Sequence, residues 1–109
     1  MKIPKPGTRV RGSRSGRPVM ALLDLLGRRW SLRILWELRA SALNFRDLRE
    51  RCGMLSPTIL NTRLAELREA GIVELGSTGY QLTNEGQELG KILLPFHHWA
   101  ERWAKPDAR

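Results

Sequence analysis

Ser56-Pro57 and Gly71 bracket fourteen residues that read as one helix, and no other stretch constrains the chain as tightly. A hydroxyl at the N-cap, proline at the first helical position and glycine just past the end are start and stop signals, each with its own mechanism. Placed at about 100° per residue from Pro57, the side chains of Ile59, Leu60, Leu64, Leu67 and Ala70 fall within about 140° of arc. The opposite arc carries Thr58, Asn61, Thr62, Ala65 and Glu69. The helix therefore has an apolar face to bury and an outer face that is small and hydrogen-bonding in its first half. Glu66 and Glu69 fall on the second half and are expected to tilt away from any polyanion.

The flanking segments follow from the same kinds of signal. Residues 1–17 show no apolar period, repeat Gly and Ser, and read as a flexible basic arm. After Pro18, Val19 to Leu26 are good helix formers and Gly27 ends them. A second helix spans Trp30 to Leu38. A third, short one spans Arg46 to Cys52 with Leu48 inward, preceded by a loop or a short strand at Asn44-Phe45. Beyond Gly71, Ile72–Leu75 and Tyr80–Leu82 bracket Gly76-Ser77-Thr78-Gly79, a four-residue turn of a β-hairpin. Thr83 caps a last helix over Asn84–Ala104, which Pro95 should kink, and residues 105–109 form a tail. The class is mainly α with a small β-hairpin, in one domain over residues 18–104.

The third helix, the tight Gly53-Met54-Leu55 connection and the fourth helix together make a helix-turn-helix, whose second helix enters the major groove of DNA. The alternative is an ordinary amphipathic surface helix. Charge supports the first. Of the net +8, residues 1–17 supply +6 and residues 28–63 supply +5, whereas residues 64–109 carry −2. Clustered cations release counterions from phosphates, and fifteen of the nineteen basic residues are Arg, whose planar fork suits phosphate and guanine edges. Ser56, Pro57, Thr58, Asn61 and Thr62 are short enough to let the helix approach base edges, and Asn can grip adenine with two bonds. Arg46 and the Ser77-Thr78 turn are expected on phosphates. Arg63, beside the apolar arc, either reaches a phosphate or pairs within the domain with an acid such as Glu37. The hairpin is either a wing on DNA or a plain closure of the core. Arg11, Arg14 and Arg17 either follow an adjacent minor groove or add nonspecific attraction.

Val19, Leu22 and Leu26, with Leu89, Leu93, Phe96, Trp99 and Trp103 on one stripe of the last helix, offer more apolar surface than a small core absorbs. Pairing of two copies through the first and last helices accounts for it. The alternative is a long helix that covers its own domain.

Several ordered stretches carry a likeness: Ala21-Leu22-Leu23-Asp24-Leu25-Leu26-Gly27-Arg28-Arg29-Trp30, Ile34-Leu35, Glu37-Leu38, Phe45-Arg46-Asp47-Leu48, Leu55-Ser56-Pro57-Thr58-Ile59-Leu60, Arg63-Leu64-Ala65-Glu66-Leu67, Gly71-Ile72-Val73, Tyr80-Gln81-Leu82-Thr83, Gly86 and Trp99. In these the chain resembles the HxlR-type winged helix-turn-helix transcriptional regulators, relatives of the MarR group, over residues 18–104. The resemblance implies a dimer formed through the first and last helices, a wing beside the recognition helix, and regulation by occupying a promoter, as a repressor. It departs at two places. Arg17 stands before Pro18 where many members have a cysteine that some use as a sensor, so no thiol sensing is carried over. The hairpin is also shorter than is usual for the family.

Other chemistries find little support. One cysteine, Cys52, allows neither an internal disulfide nor a multi-thiolate metal site, reads as a small buried side chain, and fits a reducing cytoplasm. The longest apolar stretch, Val19–Leu23, is far short of the ~20 residues of a membrane span. Pro4, Pro6, Gly7 and Arg9 interrupt any secretory signal. His97 and His98 point about 100° apart on a helix and cannot chelate one ion. No nucleophile motif, carboxylate pair or phosphate-cradling glycine loop stands out. The expected partners are duplex DNA and a second copy, with no cofactor or metal and room for a small-molecule effector of unassigned class. The competing function is a winged-helix docking module, with the aromatic stripe gripping another protein.

Overall fold

The computed structural model describes residues 17–105, in the order α1 (Pro18–Leu26), α2 (Ser31–Leu38), α3 (Phe45–Arg51), α4 (Pro57–Glu69), β1 (Val73–Gly76), β2 (Gly79–Leu82) and α5 (Asn84–Trp103). Arg11 and Arg14, and residues 106–109 of the expected tail, lie outside that range. Polar side chains start three of the helices as N-caps. Asn44 Oδ1 accepts from the Asp47 N–H at 2.7 Å, Ser56 Oγ from Ile59 at 3.5 Å, and Thr83 Oγ1 from Gly86 at 3.0 Å. Gly71, at φ 78°, ends α4, and the Ile72 N–H reaches back to the Leu67 carbonyl at 3.0 Å. That left-handed stop is the one expected of glycine at this position.

The core lies where α2, α3, α4 and the hairpin converge. Ile34, Leu48, Leu60, Leu64, Leu67 and Val73 are fully buried there, with Leu25 and Leu26 of α1 beside them. Each such side chain contributes about 2 kcal/mol of burial. Leu22, Leu89 and Leu93 are half-buried against the same cluster.

Two local expectations change. The hairpin turn has two residues, Ser77 and Thr78, because Gly76 and Gly79 pair across the strands, as do Leu75 with Tyr80 and Val73 with Leu82. Gly79 makes this turn workable. Its φ of 136° disfavours any side chain, and a Cβ there would press on the Leu43 carbonyl. The third strand position falls on Leu43 rather than Asn44-Phe45 and bridges Tyr80 through bonds of 2.8 and 3.0 Å. Asn44 is thereby free to serve as the cap of α3, and Phe45 begins the helix.

Candidate nucleic-acid interface

The α3–α4 connection reverses through two consecutive left-handed residues, Gly53 at φ 74° and Met54 at φ 61°. Such a conformation costs a non-glycine residue on the order of 1 kcal/mol, so the surroundings must hold it. They do so from both sides. The Met54 N–H donates to the Arg49 carbonyl at 3.0 Å, and Arg49 Nε donates to the Leu55 carbonyl at 2.7 Å. Leu55 is buried, so the connection is anchored in the core while Met54 faces out.

The helix that follows buries Leu60, Leu64 and Leu67 and leaves Ser56, Pro57, Thr58, Asn61, Thr62 and Ala65 exposed. The five residues expected at base edges therefore share one open face. Thr62 Oγ1 donates to the Thr58 carbonyl at 3.0 Å. Its single proton is spent, and toward a partner it offers lone pairs and a methyl group. The Asn61 amide lies exposed on the same face. Ile59, expected on the buried arc, is instead partly exposed beside that face.

Arg46 is 86% exposed, with only a loose 3.7 Å pairing to Glu50, so its guanidinium can turn outward at small cost. Ser77 and Thr78 are exposed at the hairpin tip, and Arg17 is exposed at the N-cap of α1. Of the two roles open to Arg63, its side chain adopts the internal one. Nε donates to the Arg29 carbonyl at 2.7 Å and Nη1 pairs with Glu66 at 3.2 Å. The acid is Glu66 rather than Glu37, which pairs with Arg33 at 2.8 Å.

Glu66 departs furthest from expectation. It does not tilt outward with Glu69 but is 3% exposed, with Oε1 on Arg63 and Oε2 on Arg28 Nη1 at 2.8 Å. Arg28 also reaches Asp24 of α1 at 3.3 Å. Burial of a carboxylate is affordable here because two guanidiniums replace its water. The available signal was an arginine beside the apolar arc with an acid three residues on. The second cation comes from 38 residues away, which no local pattern reveals.

The residues expected at a dimer seam divide. Leu26 belongs to the domain's own core, and Leu22, Leu89 and Leu93 pack partly against it. Val19 (55%), Phe96 (67%), Trp99 (54%) and Trp103 (69%) remain exposed, and Trp99 stacks on Trp103 with ring centroids 6.0 Å apart. His97 packs tilted by 32° against Trp36 with ring centroids 4.1 Å apart, and Arg39 lies over the same indole at 3.6 Å. Among the described residues no group of three or more His, Cys, Asp or Glu could hold a metal ion, and no helix is long and apolar enough to cross a membrane.

The family model for HxlR-like helix-turn-helix proteins matches residues 25–108. The Bacillus subtilis transcriptional regulator YodB is 33% identical over 90 residues, spanning 76% of this chain and 80% of YodB. The regulator YvaP of the same organism is 30% identical over 91 residues, spanning 77% of this chain and 84% of YvaP. Quinone-bound YodB superposes with a TM-score of 0.71 at 31% identity, over 77% of this chain and 96% of that one. A MarR-family regulator from Enterococcus faecalis, 24% identical, shares the winged helix-turn-helix fold with a TM-score of 0.74 over 94% of this chain and 99% of that one.

Proposed function

The chain belongs to the HxlR-like helix-turn-helix family and is a DNA-binding transcriptional regulator, and on that premise we propose that it acts as a homodimeric repressor of an inverted-repeat operator. The observation that carries the reading is the outer face of α4, where small hydrogen-bonding side chains cluster and no other described residue buries them. Asn61 reads a base edge, Thr58 and Thr62 flank it, and Ser56 and Pro57 bring the helix N-terminus against a phosphate. Arg46, Ser77 and Thr78 hold the backbone on either side, and the arm carrying Arg11, Arg14 and Arg17 adds reach. Arg63 serves from within, as a support for α4.

Two copies meet through Val19 of α1 and the Phe96, Trp99 and Trp103 stripe of α5, which places their α4 helices about 34 Å apart or a multiple of it. Substitution of the base reader tests the assignment. On a duplex obtained by selection from random sequence, Asn61→Ala is expected to cost about 1–3 kcal/mol, with binding to random DNA unchanged. Equal loss on both would remove Asn61 from base recognition.

A further inference from the structure

Glu66 occupies an unusual place for an acid on a recognition helix. Its carboxylate is buried and holds Arg28 with one oxygen and Arg63 with the other, at 2.8 and 3.2 Å. Arg28 and Arg29 lie in the turn between α1 and α2. Two independent links therefore run from α4 to that turn: the Glu66–Arg28 ion pair, and the 2.7 Å bond from Arg63 Nε to the Arg29 carbonyl. A third bond, Arg28 to Asp24 at 3.3 Å, carries the connection into α1 itself. Leu25 and Leu26 of α1 belong to the same buried cluster as Leu60, Leu64 and Leu67 of α4, but apolar packing of this kind tolerates sliding and rotation. Fork-shaped guanidinium contacts are directional and tolerate little of either.

We propose that Glu66 is a positioning residue for DNA recognition: through Arg28 and Arg63 it fixes the angle between the recognition helix and α1, and so sets the half-site spacing that the dimer accepts. The inference rests on the dimeric reading above. Small angular errors matter because one base pair of displacement rotates a half-site by about 35° around the duplex. A rigid link confines binding to one spacing, and a loosened link spreads it over several.

The test uses the full chain on the selected operator and on variants with the half-sites moved one or two base pairs closer or farther apart. The wild type is expected to favour one spacing over its neighbours by about tenfold or more. Glu66→Gln keeps the shape and removes the charge; it is expected to flatten that preference to about threefold or less, largely by losing affinity at the best spacing. Arg63→Lys retains the charge beside Glu66 but breaks the bond to Arg29, and is expected to flatten it too, which keeps the test meaningful if Glu66→Gln folds poorly. Uniform weakening at every spacing would show a merely structural role and overturn the proposal. Tight wild-type binding to a single half-site with no spacing preference would overturn the dimeric reading and this inference together, whereas a sharp wild-type profile left sharp in both variants would overturn the inference alone.

Discussion

Cys52 closes α3 with its thiol in the core, and its chemistry follows from that place. Burial pushes the thiol pKa up, Arg33 pulls it back in part, and Glu37 pushes it up further. The folded chain thus keeps this proton at a pH where the unfolded chain has lost it. Its contribution is complete below the ordinary thiol range and declines as pH rises through about 8.5 and beyond. Chemical denaturation at rising pH should show a fall that is smaller in Cys52→Ala. Iodoacetamide should label Cys52 slowly in the native protein and rapidly in denaturant, because only the thiolate reacts. Fast native labelling would contradict the burial. Ser56 gives a second case. Its cap bond to Ile59 is long, at 3.5 Å, so Ser56→Ala should cost only about 0.5 kcal/mol in a thermal melt, the low end for such caps.

The hairpin shows how an element is built around one glycine. Gly79→Ala must carry a side chain at φ 136° and push it against the Leu43 carbonyl, so a loss of about 2 kcal/mol is expected. Gly76→Ala meets only the flexible Gln81 side chain and should cost distinctly less, as paired melting curves would show. Local signals made much of this architecture legible in advance. Ser56-Pro57 and Gly71 delimit α4 because caps act within four residues, and the polar face follows from helical period alone. The two-residue turn was missed because glycines that look like loop residues are strand partners here. Glu66 was misplaced because it sits about 180° from Pro57, at the margin of the apolar arc, where only a tertiary partner decides between solvent and core. Leu26 was assigned to a seam for the same reason, since periodicity reveals an apolar face but not what covers it.

At the scale of the whole molecule, the exposed aromatic stripe of α5 and the open face of α4 are two halves of one account. Trp99 and Phe96 are exposed in the single chain, so Phe96→Glu with Trp99→Glu should leave the fold intact. In sedimentation the variant should run as a monomer where the wild type runs as a dimer, and its affinity for an inverted repeat should fall accordingly. A wild type that is already monomeric at micromolar concentration would leave the stripe to another partner. The central claim, that a pair of these chains grips the DNA backbone through its basic surface while α4 reads the bases, is tested most directly by titrating the selected inverted-repeat duplex against rising salt. The account predicts two chains per duplex and a steep, linear fall of log K with log salt concentration, the mark of several phosphate contacts made together. A flat response, or no binding at low salt, would contradict it.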